Sequence, residues 1–273
     1  MATVLRPMNT GELLDRTFFL YRKHFIVFVA IVAIPSLIPL MFRLTVLGVQ
    51  SSNTLGVTLI LTLLSAVIYL LTISAAQAAT IVAVSEVHLG RPARIGAAFL
   101  RAKECLVEIV LIAILMGIGI VLGAIALIIP GILVALAWSL AIPVAVIEHQ
   151  GPLDATARSW ELTRGNRFRI FVVLFLVTML SYIVTIVLQA PVFVAIIALR
   201  PQNASMLPAW INAYSVIASF LSTSLVVPIS TIAISLIYYD QRVRKEGFDI
   251  QFMMSSLKSS QDAPVAPADT SIL

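Results

Sequence analysis

Residues 106–149 read LVEIVLIAILMGIGIVLGAIALIIPGILVALAWSLAIPVAVIEH, and between Glu108 and Glu148 there is no charged side chain. A bilayer core about 30 Å thick is crossed by about 20 helical residues. The run is long enough to cross twice. Its strongest punctuation is Pro130-Gly131, a turn dipeptide, which predicts spans at 106–129 and 132–147 folded back on each other as a tight antiparallel hairpin. Gly119 and Gly123 form a G-x-x-x-G within the first of these spans. Such small residues let another helix approach closely, here inside the bundle rather than in a dimer.

Working outward, four more stretches have the length to span: 25–42, 56–84, 170–197 and 211–238. The fifth span is too long for one straight crossing, and Pro191 is its expected break because proline removes a helical hydrogen bond. The predicted fold class is all-α: a polytopic bundle of six transmembrane helices in three hairpins. Composition agrees, with 60% hydrophobic and 11% charged residues and a mean hydropathy of +1.04. Soluble domains are roughly half apolar and a quarter charged.

The formal net charge of +5 would point to nucleic acid in a soluble protein, but in this chain the cations follow the span ends. Of the 18 lysines and arginines, all but Arg43 and Arg200 fall in the N-terminal segment, the loops after spans two and four, or the tail. Positive residues beside spans stay cytoplasmic. Both termini are therefore expected in the cytoplasm of a cell whose cytoplasmic membrane holds the protein. Glu12 and Asp15 sit in the leader and no small-residue cleavage site follows, so span one is expected to act as a signal anchor.

The densest basic stretch is RSWELTRGNRFRIF, Arg158–Phe171. From Pro152 to Arg164 it reads as a short helix, with proline in the first turn and Gly165 past the end. Leu153, Ala157 and Trp160 share one face, and Asp154, Arg158 and Glu161 have the spacing of ion pairs on another. Such a helix suits the headgroup layer, tryptophan inward and arginines outward. Arg158, Trp160, Arg164, Arg167 and Arg169 are the candidate contacts to anionic lipid headgroups. The competing reading has these arginines fix topology or pair with Glu148, Asp154 and Glu161 across the cytoplasmic face.

The pattern recurs. Leu14, Phe18 and Tyr21 lie at helical spacing behind an Asn9 cap with Glu12 three residues on. The loop after span two places Pro92, Ala97, Phe99 and Leu100 among arginines. Phe18 and Arg22, Phe99 and Lys103, and Trp160 and Arg164 each put a cation four residues after an aromatic just before a span. Spans two, four and six end in Glu86, Glu148 and Asp240. Three copies of one unit are expected, each an interfacial amphipathic helix on the cytoplasmic side followed by a transmembrane hairpin.

LRPMNTGELLDRTFFLYRKHF near the start, GPLDATARSWELTRGNRFRIF in the middle and YYDQRVRKEGFDI after the last span resemble the membrane domain attached to some bacterial glycerophosphoryl diester phosphodiesterases, and its stand-alone relatives. The resemblance covers roughly residues 5–250. In the two-part enzymes catalysis resides in a separate soluble barrel with acidic and histidine residues. Too few residues follow Asp240 for a barrel of about 250 residues, so the resemblance implies the membrane module without the enzyme.

Other chemistry finds little footing. Ionisable groups within the bilayer mark proton relays and hydrolytic sites, and residues 45–85, 109–147, 170–199 and 201–239 hold neither charge nor histidine. Glu108 is expected to pair with Lys103 or Arg101. His24, His88 and His149 lack metal-site spacing, and the single cysteine, Cys105, excludes an internal disulfide and reads as a small buried hydrophobe. No phosphate loop, nucleophile elbow or nucleic-acid module is present. No catalytic residue, cofactor or metal is expected. The favoured function is a non-catalytic, lipid-associated or scaffolding module. The alternatives are a permease for an uncharged or lipidic substrate, for which a cavity lined by Gln77, Gln189 or Asn212 would speak, and an accessory subunit of a separate enzyme. The membrane domain is expected over 1–253. Residues 254–273, rich in Ser, Pro, Ala and Asp, are expected to form a disordered cytoplasmic tail.

Overall fold

The computed structural model describes residues 8–49, 55–88, 90–199 and 208–247. Its helices are α1 (Thr10–Lys23), α2 (Phe25–Val49), α3 (Leu55–His88), α4 (Ile95–Ala102), α5 (Leu106–Ala126), α6 (Ile128–Ala137), α7 (Ala141–Glu148), α8 (Pro152–Thr163), α9 (Arg167–Leu199) and α10 (Ala209–Glu246). No strand occurs among the described residues. Six segments are long and apolar enough to cross a membrane: Phe25–Leu47, Gly56–His88, Ile95–Ile125, Ile128–Glu148, Arg167–Leu199 and Ala209–Glu246. The protein is an all-helical, multi-pass membrane protein. A short helix precedes two apolar spans three times, as α1 before α2 and α3, α4 before α5 to α7, and α8 before α9 and α10. The predicted tail lies outside the described residues.

Helix α10 is the axis of the bundle. It packs against α1, α2, α3, α7, α8 and α9, and from Pro228 to Val243 nearly every residue is buried. The helix continues beyond the predicted end at Tyr238 because Asp240 and Arg242 find partners inside the protein. Helix α1 starts with the predicted cap: the Asn9 side chain accepts from the Gly11 amide, and the Glu12 carboxylate accepts from the Asn9 amide at 2.8 Å. Its buried stripe is Leu13, Thr17, Leu20 and Tyr21, with Leu14 and Phe18 at the edge.

The central hairpin turns at a different residue from the one predicted. Leu127, fully extended at φ −175°, alone separates α5 from α6. Pro130 falls in the first turn of α6, where a missing amide hydrogen costs nothing. Gly123 and Gly131 decide how close the two helices come. A Cβ added at Gly123 would sit 2.9 Å from the Gly131 Cα, and one at Gly119 would sit 2.3 Å from the Trp138 ring. The G-x-x-x-G is thus used within the bundle.

Pro191 does not break its helix. Helix α9 runs unbroken through it, as α2 does through Pro35 and Pro39 and α10 through Pro228. Proline disturbs the carbonyls one turn before it, and in a membrane these need another donor. The Tyr214 hydroxyl donates to the Leu188 carbonyl at 2.8 Å and the Tyr21 hydroxyl to the Leu225 carbonyl at 3.0 Å, each three residues before a proline. Burial raises the Tyr21 pKa, so its phenol keeps the proton it donates.

The fourth span is two helices, with a turn at Trp138–Leu140 that leaves backbone groups open. Helix α8 closes that joint. Ser159 donates to the Ala137 carbonyl at 2.7 Å while accepting the Leu140 amide at 3.1 Å, and Thr163 also reaches the Ala137 carbonyl.

Gly123→Ala should destabilise the protein by about 1–3 kcal/mol, because the new methyl meets backbone that has no rotamer to yield. Gly117→Ala in the same helix meets nothing within 4 Å and should cost nothing. Thermal unfolding of both variants in detergent checks the contrast, and equal effects would remove the hairpin contact as the cause.

Candidate functional site

Apart from Arg43, the charged side chains of the described helices gather at one end of the bundle, where the carboxylates that close spans two, four and six each receive arginine. Glu86 on α3 pairs with Arg101 of α4, and Arg91 lies 3.9 Å away. Glu148, at the end of α7, has Arg158 of α8 at 3.4 Å, Arg242 of α10 at 3.9 Å and the Tyr238 hydroxyl donating at 2.8 Å. Asp240 on α10 has no exposed side-chain surface; it pairs with Arg169 of α9, takes Arg244 at 3.0 Å and accepts the Met8 amide at 2.8 Å. Arg169 and Arg244 also donate to the Met8 carbonyl. Desolvating a carboxylate costs several kcal/mol unless partners compensate, and at Asp240 three donors do so.

Two of the predicted headgroup arginines are therefore part of this internal network. Arg158 holds Glu148, Glu161 at 3.7 Å and Glu246, and Arg169 holds Asp240. The expected pairing with Glu148 and Glu161 is present; the partnerships with Glu246 and Asp240 were not legible. Between Asp154 and Arg158 no ion pair forms among the described residues, because Arg158 is turned to the three glutamates.

The other three candidates stand at the surface. The Arg167 guanidinium lies 4.2 Å from the Trp160 ring centroid, a cation–π contact, and its buried Nε has no hydrogen-bond acceptor. Arg164 is exposed, and its carbonyl accepts from the Lys245 ammonium at 2.7 Å. Leu153, Ala157 and Trp160 form the uncovered face of α8, with Leu153 72% and Trp160 43% exposed, and Phe168 beyond the helix is 79% exposed. The opposite face, Ala155, Ser159, Leu162 and Thr163, is buried. Sequence periodicity assigned the apolar face correctly but gave no sign that Ser159 and Thr163 would seal a joint in another helix.

Glu108 departs from expectation. Arg101 is engaged by Glu86, and Glu108 Oε2 is buried without a hydrogen-bond partner. The three histidines do not converge. His24 packs edge-on to Phe28, His88 stacks on Tyr239, and His149 Nδ1 lies 3.5 Å from Cys105 Sγ. No cluster of three metal-ligating side chains occurs among the described residues. Burial and Lys23 lower the His24 pKa, so it adds no charge to the basic end at neutral pH.

Residues 108–265, more than half of the chain, match the family described as the membrane domain of glycerophosphoryl diester phosphodiesterase. The chain belongs to that family. No curated protein and no solved structure is significantly similar to it.

Asp240→Asn should destabilise the protein by about 3 kcal/mol or more, since two arginines lose the charge that compensates their burial. Glu161→Gln, at a side chain 73% exposed, should cost about 0.5 kcal/mol or less. Chemical unfolding in detergent compares the two; a mild effect at Asp240 would show that the network does not hold the bundle.

Proposed function

We propose that this member of the membrane-domain family is a non-catalytic module of the cytoplasmic membrane that associates with anionic lipid headgroups through its basic end, which faces the cytoplasm together with both termini. The observation that carries this reading is the uncovered patch of Leu153, Trp160 and Phe168 beside Arg164 and Arg167. Apolar side chains flanked by cations not engaged by carboxylates suit the boundary between acyl chains and phosphates. Arginine's planar fork suits phosphate oxygens.

The division of labour among the arginines supports a structural rather than a catalytic role. Arg158, Arg169, Arg242 and Arg244 are engaged by carboxylates within the bundle. The permease reading draws less support, because Gln189 is committed to Ser219 at 2.9 Å and to the Ser215 carbonyl at 3.3 Å.

Arg164→Gln with Arg167→Gln should lower retention of phosphatidylglycerol relative to phosphatidylcholine, with the unfolding temperature unchanged. High salt should mimic the change, since exposed charges are screened within about 10 Å at 0.1 M. Lipid analysis of protein purified from mixed-lipid vesicles reads the outcome. Retention equal to the unaltered protein would overturn headgroup association at this patch.

A further inference from the structure

At the other end of the bundle Arg43 meets no acid among the described residues. Arg43 lies eighteen residues after Phe25 in α2, about 27 Å along the helix at 1.5 Å per residue, which is close to the thickness of the hydrocarbon core. The sequence has no Asp or Glu between Asp15 and Glu86, between Glu108 and Glu148, or between Glu161 and Asp240. Those flanking acids that α2, α3 and α10 contribute to the bundle, Glu86 and Asp240, are held by arginines at the basic end. No carboxylate among the described residues pairs with Arg43, whose side chain is exposed.

The guanidinium stands at a groove between α2 and α3 with a cavity volume of about 210 Å³. Phe42, Val46 and Leu61 supply apolar wall, and Ser65 brings a hydroxyl from α3, where the Thr62 hydroxyl donates to the Thr58 carbonyl at 2.8 Å. On its other flank Arg43 lies 6.0 Å from the Tyr69 ring centroid, which fixes the side chain without neutralising it. Leu59, Ile60 and Leu63, on the same turns of α3, are more than half exposed, as side chains that meet lipid tails are. We infer that this groove binds a phospholipid of the leaflet opposite the basic end, its phosphate on Arg43 and an acyl chain against Val46 and Leu61. A cation beside an apolar channel matches a phosphate that carries a hydrocarbon tail; a free anion would leave the apolar wall empty. The site is separate from the patch around Trp160 and stands whether or not that patch binds lipid.

Native mass spectrometry of the purified, delipidated full chain titrated with phosphatidylglycerol tests the site. The unaltered protein should keep one tightly held lipid, and Arg43→Gln should weaken it about tenfold, the loss expected for one charge-assisted contact. Val46→Trp, which fills the groove and leaves the cation, should do the same, and Arg43→Lys should recover part of the affinity. Arg164→Gln with Arg167→Gln should leave this lipid in place. Unfolding temperatures in neutral lipid confirm that each variant is folded, and if Arg43→Gln is not, Val46→Trp decides. Unchanged affinity in Arg43→Gln or Val46→Trp would overturn the inference. So would loss of the lipid only in the Arg164/Arg167 variant, or its displacement by inorganic phosphate alone, which would make the site one for a free anion.

Discussion

A carboxylate without exposed surface governs the basic end of this bundle. Asp240 receives Arg169 from α9, Arg244 from its own helix and the Met8 amide from the segment before α1, and so joins the first and last thirds of the chain. Lipid tails are as apolar as leucine, so burial of hydrocarbon drives helices together far less in a membrane than in water. Polar contacts and close backbone approach take over. Glu86 and Glu148 repeat the arrangement for α3 with α4 and for α7 with α8 and α10, and the three carboxylates together fasten each short helix to the long helices beside it.

The same medium explains how the interruptions are treated. A free carbonyl or amide costs several kcal/mol where no water can reach it. Three interruptions here have a hydroxyl close by: Tyr214 before Pro191, Tyr21 before Pro228, and Ser159 across the Trp138–Leu140 joint. Helix α8 therefore has two occupations. Its serine and threonine face completes the fourth span, and its leucine and tryptophan face is left to the surroundings. Ion pairing divides the arginines in the same way: those facing inward hold carboxylates, whereas Arg164 and Arg167 face outward beside Trp160.

Glycine and charge set the two ends apart. The α5–α6 hairpin closes tightly because Gly123 and Gly131 put backbone against backbone, where any larger residue would hold the helices off. Far from the basic end, Arg43 has no carboxylate beside it among the described residues.

The six spans, the three amphipathic helices, the capping box at Asn9 and the internal use of the glycine motif were all legible in the sequence, because each depends on spacing along one helix or on the length that a bilayer demands. The apolar face of α8 was legible for the same reason. The position of the hairpin turn, the continuity of α9 through Pro191, the joint in the fourth span, the buried Glu108 Oε2 without a hydrogen bond and the partnerships of Arg158 with Glu246 and of Arg169 with Asp240 were not. These depend on which groups from distant parts of the chain arrive at the same place. Arg169 and Asp240 are 71 residues apart, and Met8 and Asp240 are 232 apart. Local pattern told which residues are apolar and which are charged. Only the packing of α10 against its neighbours decided which charges are neutralised within the protein and which stay at its surface.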